Sequence, residues 1–324
     1  MPFSRFHPEA TPAARVGLGL AAVGRPGYIN LGRARDLPAD RTREALRDRT
    51  HQLLDAAHAR GVRYVDAARS YGRAEEFLGA WLRDRPDAAG DMVVGSKWGY
   101  TYTADWRSDA ETHEVKDHGA ATFDRQYAES RALLGDRLDL YQIHSVTLES
   151  PALTDPEVLG RLARLAASGV SVGLSTSGPA QAAAIRAALE VTVDGRPLFR
   201  TVQSTFNVLE TSAGPALAQA HAAGLAVIVK EAMANGRLAA DTAPPALRRI
   251  AAQTGTGPDA VALAAVLHQP WAGVVLSGAA TVEQLDGNLA AATLKLDETP
   301  RAALAALAEP PAAYWRQRSA LPWQ

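Results

Sequence analysis

The chain has 324 residues, of which 47% are hydrophobic and 21% charged, with a formal net charge of −1. That is the mix of a globular protein long enough for a large core, and its balanced charge leaves no basic field for nucleic acid or an anionic membrane. The absence of cysteine excludes disulfides, thiolate nucleophiles, iron–sulfur clusters and cysteine-ligated zinc, and is compatible with a cytoplasmic location.

In chain order, the first 17 residues show no apolar core behind basic residues, so no signal peptide is expected. No run of 18 apolar residues occurs, so no membrane span is expected. From about residue 15, short apolar runs predict strands: Val16–Ala21, Arg63–Ala67, Met92–Lys97, Leu138–His144, Ser171–Ser175, Thr201–Thr205, Ala226–Lys230 and Gly273–Ser277. Segments of helical period follow them: Thr42–Arg60, Ala74–Arg83, Ala121–Leu134, Pro156–Ala167, Pro179–Ala188, Pro215–Ala223, Pro258–Leu267 and Val282–Ala292. Gly61, Gly169 and Gly224 stand where left-handed residues close helices ahead of the next strand.

Strand–helix alternation predicts parallel units with right-handed crossovers. Repeated eight times, it predicts a (β/α)8 barrel of class α/β, in one domain over 1–324. A doubly wound sheet would need a G-x-G-x-x-G turn after an early strand. Gly17-Leu18-Gly19-Leu20-Ala21-Ala22 lacks it. Two segments fall outside the alternation: a polar stretch at about 100–119 and a tail at about 309–324. As loops on the catalytic face of a barrel they would shape a substrate pocket; a solvated loop and a packing tail are the alternatives.

In such a barrel, polar residues at strand C-termini point into the active site. The second run gives Asp66, with Tyr71 five residues on; the third ends at Lys97 and the fourth at His144. A free phenol titrates near ~10. An ammonium ~4 Å away interacts with it by about 4 kcal/mol at an effective dielectric of ~20, enough to lower it by roughly three pH units. Lys97 is therefore expected to draw the Tyr71 phenol towards neutrality, Asp66 to orient Lys97, and His144 to offer a hydrogen bond to a substrate carbonyl. Trp98 and Tyr28 are candidates for the pocket wall, with packing and a plain loop position as alternatives. His113 and His118 come without the constellation a metal site needs, and no metal is expected.

These residues carry a resemblance. Asp66-x4-Tyr71-Gly72, Ser96-Lys97 and Gln142-Ile143-His144 match, in order and strand placement, the Asp, Tyr, Lys, His tetrad of the aldo-keto reductases. The likeness runs from about Arg15 to Ala292. It implies the barrel fold, a nicotinamide cofactor and oxidoreduction of a small carbonyl compound or sugar, nearest to bacterial branches with aldose dehydrogenases. Carried over residue by residue, it implies carboxamide contacts from Ser175, Thr176 and Gln203, with Thr176 where the family has Asn. Ser277, Gly278, Gln284 and Asn288 resemble the adenosine site, and Arg237 would hold the pyrophosphate. Lys230 stands where an aromatic ring commonly stacks on the nicotinamide. Gly278 and Gln284 replace the basic side chains that hold a 2′-phosphate. NADP(H) is favoured by the family, with NAD(H) possible. Some relatives bind the nucleotide to regulate a partner; the intact tetrad argues for turnover here.

Overall fold

The computed structural model describes residues 11–323. Residues 1–10, part of the segment read as lacking a leader, and Gln324 of the tail lie outside the described residues. Eight parallel strands close a barrel: β1 (Val16–Gly19), β2 (Tyr64–Asp66), β3 (Val93–Trp98), β4 (Leu140–Val146), β5 (Ser171–Thr176), β6 (Thr201–Thr205), β7 (Ala226–Lys230) and β8 (Val274–Ser277). Each strand pairs with its neighbours in sequence, and β8 returns to β1 through Val16↔Val275 and Leu18↔Ser277. The helices behind them are α1 (Arg43–Ala59), α2 (Ala74–Asp84), α3 (Ala120–Leu134), α4 (Pro156–Ala167), α5 (Gln181–Leu189), α6 (Gly214–Ala222), α7 (Pro258–Leu267) and α8 (Val282–Leu289). All sixteen lie on the expected segments. Side chains cap several starts: Thr42 and Thr281 accept backbone N–H groups of α1 and α8, and Asp155 does so for α4.

Strand periodicity decides what enters the barrel. Tyr64, Val93, Leu140, Ile228, Val274 and Leu276 form one buried cluster in the interior. Asp66, Lys97 and His144 lie two, four and four residues further along their strands, on the same face. They form the polar layer above that apolar plug. The alternate residues face the helices: Trp98 packs edge-on against Phe123 of α3 at 5.0 Å. Gly95 and Gly173 make the interior fit, because a Cβ at Gly95 would collide with the Tyr64 hydroxyl and one at Gly173 with Thr201 Oγ1.

Local structure appears where the sequence reading had loops. Within 100–119, Tyr100–Tyr102 pairs antiparallel with Glu114–Lys116. A smaller hairpin, Thr192–Val193 with Arg196–Pro197, precedes β6. Pro245–Thr254, Glu298–Ala305 and Pro311–Ser319 are additional helices. The first carried its signals in view, a proline at its start and Gly255 closing it at φ 67°. The last turns the tail into a helix that docks on the barrel mouth. No helix among the described residues is long and apolar enough to cross a membrane.

Candidate active site

A cavity of about 400 Å³ opens at the C-terminal ends of the strands. Asp66, Tyr71 and His144 line it, and Lys97 lies buried against its floor. Lys97 Nζ donates to Asp66 Oδ2 at 2.5 Å and to the Ala67 carbonyl at 2.8 Å. The other oxygen of Asp66 accepts from Tyr64 at 3.0 Å and from Gln203 Nε2 at 2.8 Å. A buried charge is tolerated when it is paired and hydrogen-bonded, and both members of this pair are. Lys97 Nζ stands 4.7 Å from the centre of the Tyr71 ring, and the His144 ring meets Tyr71 edge-on at 5.5 Å.

The register of β4 against β5 is irregular between Ile143 and Val146, beside His144. Ser145 takes φ 56°, and its N–H donates to Ser175 Oγ at 2.8 Å. His118 Nε2 donates to the His144 carbonyl at 2.8 Å. Burial, then the Lys97 charge, pushes the His144 imidazole well below its usual range. The ring is therefore neutral, able to donate one hydrogen bond.

The Tyr71 phenol departs from the sequence expectation. It lies well above its ordinary value, because of burial first and the Asp66 carboxylate second. The Lys97 ammonium, 4.7 Å from the ring centre, does not bring the phenol below its ordinary value. Arg25 opposes the rise.

The opposite wall holds a second charged group. Lys230, at the end of β7, donates to Thr205 Oγ1 at 2.9 Å and stands 3.7 Å from Glu231. Glu231 takes φ 56° and accepts from Arg318 Nε at 2.9 and 3.0 Å and from Arg318 Nη2 at 2.5 Å. Burial pushes the Lys230 amine down to about 8 against the pull of Glu231. Burial alone would raise the Glu231 carboxyl; Arg318 and then Lys230 outweigh it and hold it at about 2.

The remaining expected residues divide. Gln203, Lys230, Ser277, Gly278, Gln284, Asn288 and Tyr28 line the cavity. Ser277 Oγ accepts from Asn288 Nδ2 at 2.8 Å, and Gln284 Oε1 accepts from the Ala280 N–H at 2.9 Å. Ser175 is committed to Ser145. Thr176 faces the helix layer, sharing a hydrogen bond with Ser204 at 2.9 Å. Trp98 is in that layer too. Arg237 is turned to the tail, where it pairs with Glu309 and lies 5.6 Å from the Tyr314 ring. His113 stacks on Trp323 at 4.0 Å. Above the cleft, the Leu31 N–H donates to the Asn235 carbonyl at 3.0 Å, joining the loop after β1 to the loop after β7.

The 100–119 stretch supplies Tyr100 and Glu114 to the cavity lining and the tail supplies Arg318 and Trp323, whereas Arg25 and Glu231, which also line it, were not singled out from the sequence. Glu231 had a signal, a second charge directly after an apolar strand. Arg25 had none, because its partner Glu114 lies 89 residues away.

Comparison with known proteins agrees with the fold. Residues 37–309 match the model of the Aldo/keto reductase family. The aldo-keto reductase str7 of Strobilurus tenacellus is 26% identical over 327 residues, covering 90% of this chain and 87% of that protein. A D-threo-aldose 1-dehydrogenase of a Pseudomonas species is 26% identical over 248 residues, covering 72% of this chain and 71% of its own. A Pseudomonas aeruginosa structure assigned to the aldo-keto reductases superposes with TM-score 0.61 at 26% identity, over 86% of this chain and 90% of that one. The holo form of an aldo-keto reductase from Bacillus halodurans reaches 0.68 at 20% identity, over 91% and 92%, which speaks to the fold alone. Since the family match spans most of its length, this chain belongs to the aldo/keto reductase family and is an oxidoreductase.

Proposed function

We propose that this enzyme moves a hydride between a nicotinamide dinucleotide and a small carbonyl compound (aldehyde, ketone or aldose), with Tyr71 as the proton-transferring group. The observation that carries the reading is the convergence of Tyr71, the Lys97–Asp66 pair and neutral His144 on one cavity. The residues present fit the cofactor. Gln203 Oε1 is buried without a partner among the described residues, an acceptor suited to a carboxamide N–H. Ser277, Gly278, Gln284 and Asn288 form the further wall, and nothing lies within 4 Å of where a Gly278 side chain would begin.

When bound, the nicotinamide supplies the hydride or takes it back. As charge grows on the carbonyl oxygen, Tyr71 gives it the phenolic proton, and in oxidation the phenolate removes that proton from the alcohol. His144 donates to the same oxygen and fixes its approach. Lys97, held by Asp66 and Ala67, keeps an ammonium against the Tyr71 ring.

NADP(H) is the family's choice, but Asp36 and Asp259 line the cleft, and the Asp36 carbonyl shares its Arg49 donor with Ala280 beside the adenosine segment. Carboxylates there disfavour a 2′-phosphate, so NAD(H) stands level with NADP(H). The direction is open to both senses, since the relatives include a reductase and a dehydrogenase.

The test incubates the protein with each reduced and oxidised dinucleotide and a panel of aldehydes, ketones and aldoses, following nicotinamide absorbance. Tyr71→Phe is expected to lower kcat by roughly 10²–10⁴-fold while leaving dinucleotide affinity unchanged. Full activity in that variant overturns the mechanism. Tight nucleotide binding without turnover of any substrate would instead support the nucleotide-binding regulatory reading.

A further inference from the structure

The tetrad leaves one buried histidine without a task. His118 follows the hairpin strand Glu114–Lys116, precedes α3 and is 4% exposed. Its Nε2 donates to the carbonyl of His144 at 2.8 Å, and its Nδ1 shares a hydrogen bond with Ser150 Oγ. A carbonyl can only accept, which puts the proton on Nε2. The backbone on either side fixes this placement. The Asp117 N–H donates to the Gly99 carbonyl at 2.9 Å. Gly99, just past β3, takes φ 108°, and a Cβ there would collide with the His118 ring. Only glycine lets the ring lie against the end of the strand.

His144 needs such support, because nothing holds its ring through a hydrogen bond. Its Nδ1 is buried and has no partner among the described residues. An imidazole is commonly oriented by a bond at the nitrogen that faces away from the substrate. Here the aim of the ring comes from its backbone and from packing, edge-on to Tyr71 at 5.5 Å and Tyr100 at 5.0 Å. The next residue, Ser145, takes φ 56°. A non-glycine residue keeps that left-handed backbone only where its surroundings hold it there. Side chains from outside β4 do so. The peptide joining His144 to Ser145 is bound at its oxygen by His118 and at its N–H by Ser175 Oγ at 2.8 Å. Lys116 Nζ donates to the following carbonyl, that of Ser145, at 2.8 Å.

We propose that His118, with Lys116 on the next carbonyl, is a positioning residue for His144, aiming its imidazole at the substrate oxygen through the backbone peptide. The inference rests on the reading of His144 as the donor to that oxygen. It adds that the 100–119 segment, besides supplying Tyr100 and Glu114 to the cavity wall, holds the group that fixes the carbonyl's approach. His118 itself lies behind the wall and touches no substrate.

The test first reads His144 without turnover. Histidine is isotope-labelled at its ring nitrogens, and the His144 ring signals in the magnetic-resonance spectrum are assigned by their loss in His144→Gln. His118→Phe removes the donor and keeps an edge contact with Trp98, now 5.9 Å between ring centres. It is expected to shift or broaden the His144 signals. His118→Gln places an amide N–H at similar reach and should return them most of the way. In carbonyl reduction, His118→Phe should lower kcat by about tenfold, with dinucleotide affinity unchanged. In a His144→Gln background the same change should cost less than about twofold, because residues that act as a unit are not additive. Unmoved His144 signals in His118→Phe, or an equal loss of kcat in both backgrounds, overturns the proposal. If the phenylalanine chain does not fold, Lys116→Met, at an exposed position, carries the test: it frees the Ser145 carbonyl and should move the same signals, and unmoved signals there overturn the proposal too. Full activity of Tyr71→Phe would sink the functional reading alone, since the ring signals report on His144 whichever group moves the proton.

Discussion

Replacing Arg318 with methionine removes one half of a buried ion pair and leaves the other half in place. Glu231 and Arg318 side chains are 7% and 20% exposed, so the carboxylate left behind sits largely out of water. Its remaining partners would be Thr205 at 3.1 Å and Lys230 at 3.7 Å. The Glu231 carboxyl is held at about 2 against an ordinary 4.5. At ~1.4 kcal/mol per pH unit that depression corresponds to about 3 kcal/mol of stability, in line with the cost of breaking a buried pair. For 324 residues, that lowers Tm by about 4 °C. A depressed carboxyl stabilises above its unfolded value and loses that contribution as pH falls towards its folded one. The Glu231 contribution is therefore full at pH 7 and drops to about 1 kcal/mol near pH 3. Urea unfolding of both chains at pH 7 and pH 3 measures it. Equal midpoints at pH 7, or a gap that does not narrow at pH 3, would refute the reasoning.

Lys230→Met should act in the opposite window. The parent's amine is held at about 8 rather than 10.5; the unfolded chain binds the proton more tightly, so parent stability should rise from pH 8 towards pH 10 by up to ~3 kcal/mol. The methionine chain should lack that rise, and a parent flat across the window in urea titrations would contradict this. Gly173→Ala should cost roughly 1–3 kcal/mol, because its Cβ meets Thr201 Oγ1 inside the barrel. Adding Thr201→Ala should recover part of the loss; urea midpoints that show no such coupling would rule out the clash.

The barrel could be read from sequence because its signals are local. Each strand is an apolar run a few residues long, and each helix carries its own period and often its own cap, as Thr42 and Thr281 do. Asp66, Lys97 and His144 could be placed in one layer because strand alternation alone puts them there. The alternation also set Thr176 and Trp98 facing outward, a parity the sequence already contained. The rest of the cavity depended on distance. Arg25 meets Glu114, and Glu231 meets Arg318, across loops whose paths no periodicity encodes. The Tyr71 expectation failed for the same reason. Counting Lys97 alone gave a lowered phenol, whereas burial and Asp66, set by packing, gave a raised one.

The wall formed by the Pro311–Ser319 helix and Trp323 has a consequence for how the molecule is made. These residues follow all eight strand–helix units in the chain. Synthesis proceeds from the N-terminus, so a nascent chain can complete the barrel's hydrogen-bonded ring, from β1 to β8, while Glu231 still awaits Arg318. Assembly of the scaffold and completion of the reaction chamber are then separate events in time, and the second depends on the docking of a single short helix.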